Sequence, residues 1–231
     1  ATGRMGVVIA TSGPGATNLV TGIAAAYMDS SPVVAITGNV KTSLLGSDSF
    51  QEVDIAGVTM PVTKYSFIAS GERGVAQDVR EAFSIAQSGR KGPVLVDIPA
   101  DIAAQSEEYE RAPKSEPAPA KEPEKAELER AAQMIEKAKR PLIYVGGGAI
   151  SSGASDALKT FAQKLHIPVA CSMMGLGAYP CSAELFLGLV GMHGNPAANM
   201  AALNCDLLIA AGARFSNRVA ASKESFAPKA K

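Results

Sequence analysis

The residue types best suited to chemistry in this 231-residue chain lie at glycine-rich joints. Ser12-Gly13-Pro14-Gly15 follows an apolar run and precedes a helical pattern, so it reads as a strand-to-helix turn. Backbone N–H groups at such a turn, together with the helix dipole, favour polar or anionic ligands. Glycine there lets a ligand approach the backbone closely, although a bare Gly-Pro-Gly is equally an ordinary tight turn. Gly146-Gly147-Gly148 follows a second apolar run, a place where backbone can approach a pyrophosphate. It lacks the G-x-G-x-x-G spacing, because Ser151 takes the third glycine's place and no acidic residue ends the next strand at Cys171-Ser172. An NAD fingerprint is therefore not made. The chain has two histidines, His166 and His193, and a lone histidine is more often structural than catalytic. Cys171, Cys181 and Cys205 form no C-x-x-C pair and sit among small or apolar neighbours, which suits reduced, buried thiols in a cytoplasmic compartment.

The elements that must position these joints follow from hydrophobic periodicity. Gly6 to Thr11 and Pro32 to Thr37 are continuous apolar runs of the kind found in parallel strands covered on both faces. Between them, Ala16 to Met28 places Leu19, Ile23, Ala26 and Tyr27 at helical spacing, which completes a βαβ unit. Glu72 to Ser88 reads as a helix and Pro93 to Ile98 as another buried strand. From Tyr109 to Lys125 proline, glutamate, lysine and alanine prevail with scarcely an apolar side chain, the composition of an extended linker. Beyond it the spacing predicts a helix through Leu128, Ala131 and Ile135, a strand at Leu142 to Val145 and a helix from Ser155 to Leu165. Strands at Ile167 to Cys171 and Leu207 to Ala211 flank a helix near Ala197 to Leu203. The expectation is α/β, two doubly wound parallel-sheet domains over residues 1–104 and 127–231, joined by a linker over 105–126.

With 47% hydrophobic and 19% charged residues, the chain can bury a core in each domain. Lys plus Arg and Asp plus Glu number 22 each, so no net field recruits nucleic acid or an anionic membrane surface. No apolar run approaches the roughly 18 residues of a membrane span. A strand begins almost at Ala1, and the chain stops at Lys231 where a further strand is expected. Both ends are expected to fall inside domains.

Longer motifs are more specific. Thr11-Ser12-Gly13-Pro14-Gly15-Ala16-Thr17-Asn18, the loop Leu45 to Asp54 with Phe50-Gln51-Glu52, and Ser88-Gly89-Arg90-Lys91-Gly92-Pro93 leading into Val94-Leu95-Val96-Asp97-Ile98-Pro99 occur in order. So do Tyr144 to Gly148, Met174 to Pro180, Gly191-Met192-His193-Gly194, and Asp206 to Ile209 leading into Gly212-Ala213-Arg214-Phe215. Together these resemble an internal piece of the acetolactate synthase large-subunit family of thiamine-diphosphate-dependent enzymes, over nearly the whole chain.

The resemblance implies a partial pyrimidine-binding domain followed by a central, Rossmann-like domain. It implies that Ser12, Gly13, Pro14 and Gly15 pack beside thiamine diphosphate, and that Gln51 contacts the first 2-ketoacid or the species formed from it. Phe50 would wall the substrate pocket or simply pack in the core. Asn18 would be a cofactor-site residue or satisfy the helix start. Glu52 is not the carboxylate that activates the cofactor, which in the family precedes the TSGPG strand; it reads as a loop-ordering group. The Mg²⁺ that anchors the diphosphate is held in the family by a GDG-containing motif, and no GDG occurs here, so its ligands are expected outside this chain.

The resemblance further implies FAD, largely structural, contacted by Arg90, Gly147, Ser172, Met173, His193, Gly212, Arg214 and Arg218. It implies a homodimer or higher assembly and a regulatory small subunit. Two departures stand out: Ala100 where the family commonly has lysine, and Ser216-Asn217 where it has two aspartates. Rival readings are glyoxylate carboligase, a flavin-free catabolic acetolactate synthase, or a non-catalytic dinucleotide-binding module; the isolated chain is expected to be inactive.

Overall fold

Two compact units, Ala1–Ala120 and Lys121–Lys231, make up the computed structural model, which describes residues 3–109, 111, 122–220 and 222–231. The first holds β1 (Gly6–Ala10), α1 (Pro14–Asn18), α2 (Val20–Asp29), β2 (Val33–Asn39), α3 (Ile55–Thr59), β3 (Tyr65–Ile68), α4 (Val75–Gln87), β4 (Val94–Pro99) and α5 (Ala100–Ala103). Its four strands are all parallel, in the order β1-β2-β4-β3. β4 is buried on both faces: Val94 and Val96 pack with Ala82 and Ala86 of α4, while Leu95 packs with Ala16, Ile23 and Ile55 of α1, α2 and α3. Successive residues of a strand point to opposite faces, so a continuous apolar run is what a sheet covered on both sides requires.

β1 departs from that rule. Val7 and Ile9 are 49% and 74% exposed, and among the described residues the strand lies at the sheet edge, paired with β2. The expected single helix over 16–28 is two, α1 and α2, joined at Leu19, which itself keeps helical angles. β3 was not expected at all.

The second unit holds α6 (Lys125–Lys137), β5 (Pro141–Val145), α7 (Gly147–Ser151), α8 (Ser155–Leu165), β6 (Val169–Cys171), β7 (Phe186–Leu189), α9 (Pro196–Asn204), β8 (Leu207–Ala211) and α10 (Lys223–Phe226). Its sheet is parallel with order β7-β6-β5-β8. Ile143 and Val145 of β5 pack with Leu158 and Ala162 of α8; Leu142 and Tyr144 pack with Ala198 and Ala202 of α9. Both units are thus doubly wound α/β sheets.

β7 also went unanticipated; Gly188 sits inside it at φ +87° beside a register shift. His166 has a structural post: it ends α8 in the left-handed conformation at φ +50°. Cys171 and Cys205 are buried as expected, but Cys181 is exposed. Half of the expected linker, residues 110 and 112–121, lies outside the described residues. Its first part is attached to the first unit: Glu107 accepts from Val75 N at 3.1 Å, and Arg80 stacks over the Tyr109 ring. Among the described residues no helix is long and apolar enough to cross a membrane.

Candidate functional site

Parallel α/β sheets present their ligand sites beyond the carboxyl ends of the strands, and in the first unit two loops meet there. The Ser12–Gly15 turn leaves β1, and residues 40–54 run from β2 to α3. They touch through backbone: a Cβ on Gly13 would lie 2.8 Å from Gln51 Cβ and 2.9 Å from its carbonyl oxygen. Gly13 also has φ +58°, so only glycine fits there without strain. Gln51 itself is left-handed at φ +60°, a conformation that costs a non-glycine residue about 1–3 kcal/mol and that clusters at ligand sites. Its side chain is exposed.

Phe50 is 88% exposed, so it is not a core residue in this chain. Asn18 falls at the end of α1 rather than its start, and no side chain caps that helix. Glu52 does order its own loop, accepting from Gly46 N and from Ser49 N at 2.8 Å. The Ser49 and Gly46 amides hold its carboxyl below the ordinary glutamate range.

A buried carboxylate lies under this site. Asp97, fully buried in β4, accepts from Thr37 Oγ1 at 2.6 Å and from Asn39 Nδ2 at 2.5 Å. Burial pushes it up, against the two hydrogen bonds. The Asn39 side-chain Oδ1 in turn accepts from Val40 N at 2.8 Å, where the 40–54 loop begins. Asp101, two residues past β4, accepts from Thr42 N and Oγ1 at 2.9 and 2.5 Å. Neither carboxylate stood out among the motifs, though a lone Asp inside the apolar run VLVDIP was the readable signal. The Asp97, Asp101 and Glu52 oxygens are committed to holding structure. What this end of the sheet offers a ligand is a glycine wall, an exposed amide and an exposed ring: groups that bind and orient.

In the second unit the chain runs from β5 to β6 to β7 and returns to β8 on the other side of β5. That reversal opens a crevice at the ends of β5 and β8, lined by Gly146–Gly148 and Gly212–Arg214. Three strand-end loops are pressed together there. A Cβ on Gly146 would lie 2.5 Å from Gly212 O, and one on Gly147 2.9 Å from Met174 O. Gly148 N donates to Gly212 O at 2.9 Å, so this amide is not free for a pyrophosphate, contrary to the expectation for the triple glycine. The glycines serve loop-to-loop packing first.

Residues 212–220 then run as a strap across the strand ends. Tyr144 OH donates to Arg214 O at 3.1 Å, and Met192 N donates to Arg218 O at 2.9 Å. Asn199 grips the Gly191 turn from α9, Oδ1 accepting from Gly191 N at 2.8 Å and Nδ2 donating to Gly191 O at 3.1 Å. Ser172, Met173, His193, Gly212, Arg214 and Arg218 therefore share one end of the second sheet. Met173 and Met192 are 62% and 69% exposed and Phe215 is 44% exposed, giving apolar surface beside two exposed guanidinium groups. Ser216 O accepts from Val219 N at 3.0 Å and Ala220 N at 2.8 Å. The strap is thus ordered through backbone, without the two missing carboxylates.

Arg90 belongs elsewhere in the first unit, before β4 and hence at the opposite end of the sheet from Gln51. Its Nε donates to Ser30 Oγ at 2.8 Å and its Nη2 to Tyr27 O at 3.1 Å, over the Tyr27 ring. A concavity of about 420 Å³ is lined there by Tyr27, Thr63, Lys64 and Ser88–Lys91. No group of three or more His, Cys, Asp or Glu able to hold a metal occurs among the described residues.

Comparison with known proteins decides the family. Residues 1–58 match the thiamine pyrophosphate enzyme, N-terminal TPP binding domain, and residues 128–231 match the thiamine pyrophosphate enzyme, central domain. The chain belongs to the thiamine pyrophosphate enzyme family. It is 50% identical to the acetolactate synthase large subunit of Corynebacterium glutamicum, over all of this chain and 37% of that protein. It is 49% identical to the acetolactate synthase isozyme 2 large subunit of Escherichia coli K12, over all of this chain and 42% of that one. The probable acetolactate synthase large subunit of Methanocaldococcus jannaschii is 47% identical, over all of this chain and 40% of the relative. The chain thus spans about two fifths of the length of the curated relatives it matches. Both matched domains are parallel α/β units, as this family member's two sheets are.

Proposed function

We propose that this chain is part of an acetolactate synthase, which joins two pyruvates, or pyruvate and 2-oxobutyrate, with loss of CO₂ on the way to branched-chain amino acids. The observation that carries the reading is the contact of the Gly13 turn with a left-handed Gln51 whose amide and whose neighbour Phe50 are exposed. Thiamine diphosphate, when bound, supplies the electron sink for decarboxylation and carbon–carbon bond formation. Ser12 to Gly15 would face it, with Asn18 alongside. Gln51 would orient the ketoacid through its amide, and Phe50 would exclude water from the reacting face. The Mg²⁺ ligands are assigned outside this chain.

The second unit's crevice suits FAD. Arg214 and Arg218 would meet the diphosphate, for which guanidinium is the fitting donor, and Met173 and His193, with Met192 and Phe215, would meet the flat apolar ring. Ser172, Gly147 and Gly212 would line the groove. The enzyme is proposed to be cytoplasmic, to act as a homodimer or larger assembly, and to pair with a regulatory small subunit.

Replacing Gln51 by alanine in the complete enzyme tests the site. Losing one preorganised donor should lower acetolactate formation from pyruvate roughly 10²-fold in kcat; turnover within about twofold of wild type, judged on the same scale, overturns the assignment. Flavin absorbance in the purified enzyme, lost together with Arg214→Ala and Arg218→Ala, tests the crevice. Turnover of glyoxylate in preference to pyruvate would redirect the substrate reading.

A further inference from the structure

The 40–54 loop carries Gln51 with little regular structure of its own. It contains a single 3₁₀ turn, Thr42–Leu44, whose flanking residue Lys41 supplies no side-chain cap. The first amides of any helical turn lack partners within it, and a lysine cannot accept a hydrogen bond. The missing acceptor comes from 59 residues away: Asp101 takes Thr42 N on Oδ1 at 2.9 Å and Thr42 Oγ1 on Oδ2 at 2.5 Å. Farther along, Glu52 binds Gly46 N and Ser49 N, closing the loop on itself rather than onto the domain. Nearer its root, Asp97 acts through Asn39 and reaches only Val40 N. Among the described residues, Asp101 is the one side chain outside the loop that hydrogen-bonds it between residues 41 and 52.

We propose that Asp101 is a positioning residue for Gln51: by gripping Thr42 from the first turn of α5, it fixes where the loop sits against the Gly13 turn. The proposal rests on reading Gln51 as a substrate contact. It explains why an acidic residue stands in the first turn of α5, where a short helix alone requires none. It also assigns the two ends of the loop different fasteners, so that loosening one need not unfold the other.

Hydrogen exchange and kinetics together test it. Asp101→Ala should speed exchange of amides 42–51 about tenfold, with β2 and β4 amides unchanged. Asp101→Asn, which keeps an acceptor for Thr42 N, should restore protection to within about threefold on that scale. Thr42→Val should loosen the same amides, and the double variant with Asp101→Ala should be no worse than Asp101→Ala alone, as expected for residues acting as one pair. In the complete enzyme, Asp101→Ala should lower kcat for pyruvate about fivefold, in the same direction as Gln51→Ala, with rescue by Asp101→Asn. Unchanged exchange in Asp101→Ala overturns the proposal, and so does a loosened loop with unchanged turnover while Gln51→Ala is impaired. If Gln51→Ala itself turns over normally, it is the reading of Gln51 that fails.

Discussion

The two sheets solve the same problem at their carboxyl ends by different means. In the first unit, a 15-residue stretch between β2 and α3 (residues 40–54) is fastened by carboxylates, Asp97 through Asn39, Asp101 through Thr42 and Glu52 through Gly46 and Ser49. Backbone meets backbone where Gly13 faces Gln51. In the second unit, glycines 146, 147, 148 and 212 bring backbone against backbone. Fastening by side chains leaves a loop adjustable and sensitive to pH. Glycine packing leaves it rigid and insensitive to pH, and intolerant of any added atom.

That contrast can be broken in descending order of effect. Gly212→Ala should cost most: φ is +56° and the new Cβ would strike Ala149 N and the Gly148 backbone. Left-handed strain and overpacking together should exceed about 3 kcal/mol in urea unfolding of the second unit; a smaller loss would mean that the loops can part. Asp97→Ala comes next. It strands the Thr37 hydroxyl and the Asn39 amide without their acceptor, at about 1–3 kcal/mol, and a near-neutral result would show that the buried carboxylate fastens nothing.

The smallest effect is the pH response of Glu52. Its folded-state carboxyl lies below the ordinary value of 4.5, so its contribution is present above that value and is lost as pH falls through the lowered one. Asp97 runs the other way: raised above 3.8 by burial, its folded form prefers the proton, so its charge weakens the fold as pH rises through the raised value. Exchange of amides 46–49 should therefore accelerate as pH falls below 4.5, relative to the amides of the Gly146–Gly148 loop, after correction for intrinsic rates. Equal behaviour of the two loops would erase the contrast.

How much of this the sequence displayed depends on the element. α8 and β8 match their expected limits, Ser155 to Leu165 and Leu207 to Ala211, because each is a pure pattern of one period. The break between α1 and α2 was invisible because Leu19 keeps helical angles, so side-chain spacing runs through it. β3 is four residues long and β7 is interrupted by Gly188, too little pattern in either to register. At the candidate site the motifs pointed to the Gly13 turn and to Gln51, which do meet. What they did not reveal was long-range pairing: Asp101 with Thr42, and Asp97 with Thr37 and Asn39. Spacings of 58 to 60 residues carry no local periodicity, and Gln51 gives no hint of a left-handed backbone. Phe50, read as either a pocket wall or a core residue, stands exposed between Ser49 and Gln51, which goes against the core alternative.

The edge strand β1 has a bearing on how the molecule behaves at high concentration. Its outer side has no hydrogen-bonded strand among the described residues, and its Val7 and Ile9 side chains are exposed. Lysine, proline and bulges are the usual guards against strand-to-strand templating, and the segment GVVIA has none of them. Left uncovered, this edge is where self-association of the chain would begin.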